Sequence, residues 1–216
     1  MSARSTFLAV LPLCGRIHGK WLLCLGVSIL ALAATCWPDG AVSLRYDRSA
    51  LMDGEIWRVM TAHLTHLGLP HLLLNLLGLA LICELLWGEL PLRHGIGLLG
   101  FSAAATSAAL WWLHPELIWY AGLSGVLHGL WAGCALSGLR LASPRLRLTC
   151  LAGVLLLAAK LLMEFYYGPS AGTARLIGGE VVSTAHLYGA LAGAVYVAAR
   201  GCVRMRLPFR GALQQQ

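Results

Sequence analysis

Apolar residues fall into long unbroken stretches at 21–37, 71–87, 95–113, 120–139, 148–165 and 183–199, each ending at charges or turn formers. Every stretch approaches the roughly 20 residues that a helix needs to cross a hydrocarbon core about 30 Å thick. The pattern predicts an all-α membrane protein, a bundle of six transmembrane helices with short connections. The exception is 38–70, between the first two spans, where apolar and polar residues mix too closely for a plain linker. Neither an internal repeat nor a second domain is visible. The chain divides into an N-terminal segment (1–20), a six-span domain (21–200) and a basic tail (201–216).

Composition agrees with lipid as the solvent. Hydrophobic residues make up 58% of the 216 and charged residues 12%, about half the charged share of ordinary globular proteins. Basic residues gather at one side of the spans: Arg4, Arg16 and Lys20 before the first, Arg93 after the second, and Arg140, Arg145 and Arg147 after the fourth. Arg200, Arg204, Arg206 and Arg210 follow the sixth. Cytoplasmic loops concentrate such charge, so both termini are expected in the cytoplasm. The net charge of +7 is then a membrane-surface feature, with anionic lipid rather than nucleic acid as its partner. The first span also imitates a secretory signal, with a basic start and small residues before Cys36, but five further spans favour a retained anchor. Seven cysteines, mostly within spans or on the cytoplasmic side, outline no disulfide framework.

Polar side chains deep in a bilayer are costly and point to function. At 1.5 Å per residue, Ser124 stands about 24 Å above Arg140 and His186 about 21 Å above Arg200. On the same scale Asn75 and His71 stand about 20 and 25 Å above Gly88. These four side chains, on spans two, four and six, share one layer near the outer face, where water can enter a cavity. Serine needs a base to accept its proton and donors to hold the charge developing on an attacked carbonyl. His186 supplies an imidazole that titrates near neutrality, and His71 and Asn75 lie at i and i+4 on one helix face. The plainer alternative is packing, since a serine in a membrane helix commonly bonds its own backbone.

Glycines give spans four and six a means of close approach. Gly189 and Gly193 form a GxxxG pair on roughly the same face as His186, and span four supplies Gly122, Gly125 and Gly129.

In this order and on these spans, EIWR at 55–58, HLLLN at 71–75, GLSG at 122–125 and AHLYG at 185–189 resemble the rhomboid family of intramembrane serine proteases. The resemblance covers about residues 50 to 195. It implies a Ser-His dyad of Ser124 as nucleophile and His186 as general base, with His71, Asn75 and backbone N–H groups near Ser124 forming the oxyanion hole. It also implies that Glu55, Trp57 and Arg58 belong to an outer loop lying partly in the membrane interface, where Trp57 and Arg58 would serve equally as anchors. Gly122, Gly125, Gly189 and His128 take supporting positions. Many rhomboids have an aromatic residue four positions after the serine, and this chain has His128 there. GLSGVLHG and the small size are most similar to the bacterial rhombosortase subgroup. That likeness implies membrane-anchored substrates with a C-terminal glycine-rich motif, a transmembrane helix and a basic tail. It further implies a multi-pass protein of the bacterial inner membrane whose site opens to the periplasm, and no cofactor.

Three alternatives stay open from the residues alone. His128 shares a helix face with Ser124 and competes as base. Lys160, about 20 Å above Arg147, would make a Ser-Lys dyad, although Glu164 at i+4 offers it an ion pair. His63, His66 and His71 invite a zinc reading, against which stand their loose spacing and the lack of a motif such as HExxH, so no metal is expected. A non-catalytic, rhomboid-like chaperone of membrane helices is the competing function.

Overall fold

The structure, a computed structural model, describes residues 11–88, 90–141 and 143–206. Residues 1–10 and the tail beyond 206, including Arg4 and Arg210, lie outside the described residues. Six long helices correspond in order to the six apolar stretches: α1 (Leu11–Cys36), α5 (Leu69–Leu85), α6 (Leu92–Leu113), α7 (Ser124–Leu141), α8 (Pro144–Tyr167) and α10 (Ser183–Arg206). By length and composition, Gly19–Cys36 of α1, α6 and α8 are apolar and long enough to cross a membrane. α5 is slightly shorter, at 17 residues, and α7 and α10 each open on a serine and carry a histidine in their first turns, His128 and His186.

Their outward faces suit lipid. Leu25, Ile29 and Leu30 on α1 and Leu155, Leu156 and Leu162 on α8 are each more than half exposed. Water would penalise such faces and hydrocarbon does not.

α7 is the central helix, packed against α10, α8, α6 and α5. Around it lies a core that includes Leu79, Cys83, Leu98, Leu130, Ala135 and Cys150. Short elements decorate one end of the bundle. α2 (Gly40–Leu44), β1 (Tyr46–Asp47), α3 (Arg48–Met52) and α4 (Arg58–Thr61) fold the long first connection, and β1 pairs antiparallel with β2 (Trp119–Tyr120). A further helix, α9 (Ala171–Ile177), occupies the connection between α8 and α10 and packs on α5. The sequence pattern does not announce α9, because seven residues complete barely two turns. It is bounded by Ser170, whose hydroxyl accepts from the Thr173 N–H, and by Gly178 at φ 76°, a left-handed conformation that suits glycine.

Two arginines hold the first connection. Arg48 fans its guanidinium over the C-terminal end of α6, donating to the carbonyls of Trp111 at 2.8 Å, His114 at 2.9 Å and Leu110 at 3.2 Å. It also stacks on Trp111. The Trp111 carbonyl is one of those a helix end leaves without a partner along the helix, and a cation there also meets the negative end of the helix dipole. Arg58, instead of reaching out as an interfacial anchor, is buried. It donates to Glu55 at 2.7 Å and to the carbonyls of Val42 and Arg45 at 2.8 and 2.9 Å. Trp57 and Ile56 beside it are exposed, so the apolar side chains are the ones available to lipid. At the head of α3, hydrogen bonding from the Ser49 hydroxyl holds the Asp47 carboxyl below its ordinary pKa.

Removing a buried, fully bonded guanidinium leaves Glu55 and two carbonyls without partners. Arg58→Ala is therefore expected to destabilise the fold by about 2–4 kcal/mol, measured as a lower Tm of the detergent-solubilised protein. Arg58→Lys restores only part of that loss, because a single ammonium does not reproduce the guanidinium fork.

Candidate active site

The helix that carries Ser124 begins later than the apolar pattern predicts. Rather than starting at Tyr120 and enclosing the serine, α7 starts at Ser124 itself. Tyr120 is drawn into the β1–β2 pair opposite Tyr46, and its hydroxyl donates to the Gly122 carbonyl at 2.8 Å. The Gly122 N–H donates across to the Ala62 carbonyl at 3.0 Å, and Gly122 adopts φ 135°, which a side chain would strain. Hydropathy cannot register this turn, since YAGL is as apolar as the helix after it. The consequence is chemical. Ser124 sits at a helix N-terminus, where the first backbone N–H groups lack carbonyl partners within the helix and favour negative charge.

His186 comes to Ser124 from α10. Its Nε2 lies 3.0 Å from Ser124 Oγ. The approach depends on direct backbone contact between α7 and α10. A Cβ placed on Gly189 would run into the Gly125 carbonyl, and one on Gly193 into the Gly129 carbonyl. A Cβ on Gly125 would in turn lie 2.9 Å from the Ala185 carbonyl. The glycine pattern thus lies where these two helices meet.

His128 stacks on His186, with ring centroids 4.1 Å apart and planes 12° from parallel. Its Nδ1 donates to the Ser124 backbone carbonyl at 2.7 Å, so the ring addresses the backbone of the serine rather than its hydroxyl. His71 borders the other side. The Leu67 N–H donates to His71 Nδ1 at 3.4 Å, which leaves Nε2 as the protonated nitrogen of the neutral ring. That edge lies close to Gly122, where a Cβ would be 3.0 Å from Nε2 and 4.0 Å from Ser124 Oγ. One Asn75 amide N–H donates to the His71 carbonyl at 3.0 Å, so Asn75 sits one turn behind His71 with a second N–H remaining. A cavity of about 240 Å³ meets this group and is lined by His71, Ser124, Tyr120, Trp119, Val182 and others from the two adjoining connections.

Lys160 and Glu164 form the anticipated ion pair at 2.6 Å. The sequence reading did not connect that pair to the histidine. Glu164 Oε2 lies 2.9 Å from His186 Nδ1, and Oε1 lies 3.1 Å from it. The signal in the sequence is an acidic residue, with Lys160 one turn before it, near the end of a largely apolar stretch, but only packing shows which neighbouring helix it faces.

The three histidines weighed as zinc ligands, His63, His66 and His71, have other partners. His63 Nε2 bonds Ser107 Oγ and the Ala103 carbonyl, His66 Nδ1 lies 3.3 Å from Thr35 Oγ1, and His66 packs edge-on against His71. His128, Glu164 and His186 do bring ligand-type atoms within 4.8 Å of one another. Stacked, nearly parallel rings direct their lone pairs side by side instead of toward a common point, a poor match to tetrahedral coordination.

Two substitutions test this geometry. Gly189→Ala is expected to push α10 off α7 and to lower the reactivity of Ser124 toward a fluorophosphonate probe at least tenfold, while the protein still inserts in membranes. His128→Ala removes the ring that fixes the plane of His186 and is expected to lower that reactivity about tenfold, with His128→Phe restoring most of it.

A search of curated proteins finds no match to the chain. The Rhomboid domain family model matches residues 53–201, a range that holds Ser124 and His186 together with His71, Asn75, His128, Lys160 and Glu164. With most of its length matched, the chain belongs to the rhomboid family, whose members are in general intramembrane serine proteases.

Proposed function

We propose that this protein is an intramembrane serine endopeptidase in which Ser124 is the nucleophile and His186 the general base. The observation that carries this reading is the 3.0 Å separation of Ser124 Oγ and His186 Nε2 beside a cavity at a helix N-terminus. Ser124 Oγ attacks a peptide carbonyl, its proton passes to Nε2, and the leaving amine takes that proton as the acyl-enzyme forms. Water, activated by the same nitrogen, then releases the acyl group. The oxyanion is held by backbone N–H groups of the first turn of α7 and by His71 Nε2–H, with Asn75 supporting or joining His71. A peptide bond inside an intact helix is shielded, so the substrate segment must unwind locally, which glycine or other small residues favour.

In this reading the six long helices all cross the bilayer. Both termini are cytoplasmic and the site opens toward the periplasmic side of a bacterial inner membrane. The domain proper is 21–200, flanked by cytoplasmic segments. Substrates are membrane-anchored proteins with a C-terminal glycine-rich motif, a transmembrane helix and a basic tail, as in the rhombosortase subgroup that GLSGVLHG resembles. A helix-binding chaperone would have no use for the retained serine and histidine, and this favours the enzyme.

The test is cleavage of a membrane-anchored reporter ending in such a tail, co-reconstituted with the protein. Ser124→Ala and His186→Ala are expected to abolish cleavage and Lys160→Ala to keep most of it. Loss with Lys160→Ala and survival with His186→Ala would overturn the assignment of the base. Cleavage is also expected to persist in a strong chelator. Trapping on Ser124→Ala, followed by sequencing of the bound segments, identifies the substrates, and tails without glycine-rich motifs would remove the subgroup reading.

A further inference from the structure

The geometry points to Glu164 as a third, positioning member of the catalytic group, so that Ser124, His186 and Glu164 act as a triad assembled from α7, α10 and α8. This rests on the assignment of Ser124 and His186 as nucleophile and base. Family resemblance supplies only two members. The third comes from an observed contact, the Glu164 carboxylate at 2.9 and 3.1 Å from His186 Nδ1.

A carboxylate can only accept, so the proton of a neutral His186 belongs on Nδ1, and the lone pair of Nε2 faces the Ser124 hydroxyl at 3.0 Å. In the opposite tautomer Nε2 would carry the proton and the ring could not act as base. Lys160 Nζ also lies 3.4 Å from Nδ1, where an ammonium would donate and enforce the wrong tautomer. Its shorter bond, at 2.6 Å, goes to Glu164 Oε1, which leaves Oε2 to His186. The carboxylate therefore both orients the imidazole and intercepts the lysine.

Exposure is graded along the chain of contacts. The Lys160 side chain is 37% exposed, Glu164 15% and His186 6%. The lysine faces the surroundings, and the carboxylate brings negative charge to a ring that solvent hardly reaches. When the serine O–H bond breaks and the new N–H bond forms at Nε2, the ring becomes an imidazolium, and its Nδ1–H already points at a carboxylate. No proton needs to move to Glu164. The imidazolium is stabilised where a dyad would leave it without a counter-charge. A plain ion pair between Lys160 and Glu164, satisfied within α8, would not require the carboxylate to face a second helix.

The experiment compares steady-state cleavage of the reporter by wild type, Ser124→Ala, His186→Ala and Glu164→Gln. Glutamine keeps the size of the side chain and removes its charge. Glu164→Gln is expected to lower kcat about 10²- to 10⁴-fold with KM changed less than about threefold, the split expected when stabilisation is lost only in the transition state. Glu164→Asp, with the charge retained on a shorter arm, is expected to recover part of kcat. Wild-type kcat in a folded Glu164→Gln, alongside inactive Ser124→Ala and His186→Ala, overturns the triad and leaves the protease standing. Cleavage by Ser124→Ala and His186→Ala at the wild-type rate overturns the protease reading itself.

If Glu164→Gln fails to fold because Lys160 loses its partner, the double variant Lys160→Met/Glu164→Gln removes both charges together and is judged by the same criterion. Independently of any variant at 164, nitrogen-15 NMR of histidine-labelled wild type reads the His186 tautomer, assigned by difference from His186→Ala. A proton on Nδ1 supports the triad, and a neutral ring protonated on Nε2 overturns it.

Discussion

Backbone contact between α7 and α10 is the constraint on which the rest depends. Two helices carrying ordinary side chains pack about 8–10 Å apart, and a serine on one would then miss a histidine on the other. Here Gly189 and Gly193 lie against the carbonyls of Gly125 and Gly129, and this closeness permits the 3.0 Å contact of Ser124 with His186. In lipid, where burying apolar surface drives little association between helices, such close packing is itself a principal source of adhesion. The same contact therefore fastens the bundle and sets the site.

A helix pair fixes the distance between two side chains but not their orientation, and the neighbours of His186 supply that. His128 lies flat against the ring and limits its rotation, while Glu164 meets its edge. On the serine side, orientation comes from the first connection. The Ala62 carbonyl holds Gly122, and β1 holds Tyr120, so the chain turns sharply before α7. Arg48 and Arg58 hold that connection through main-chain carbonyls. Polar bonding is thus concentrated in the irregular segment, where backbone groups outside helices would otherwise be left without partners.

The stacked His128 shows how one position changes meaning between sequence and fold. As a residue four after Ser124 it is a rival base. As a ring parallel to His186, with Nδ1 committed to a backbone carbonyl, it is a support. An aromatic residue would offer the same flat face, which accounts for the kind of residue many rhomboids place there. Arg58 changes in the opposite direction, from a surface anchor to a buried brace.

Much of the architecture was legible in the chain because lipid makes a harsh rule. Helices that face lipid must be largely apolar, so the order and approximate limits of the six long helices follow from the apolar stretches, and the polar residues Ser124, His186, His71 and Asn75 stand out against that background. Glycine spacing likewise marked the face on which α10 meets α7. The sequence by itself determined the six long helices and the chemical types present. Tertiary structure alone decided where α7 begins, because the turn at Gly122 depends on the Ala62 carbonyl, sixty residues away, and YAGL has the hydropathy of a helix. It alone placed α9 on α5 and turned Glu164 toward His186. A charge in an apolar helix declares that it needs a partner, but the identity of that partner depends on helix rotation and neighbourhood, which a one-dimensional pattern does not contain.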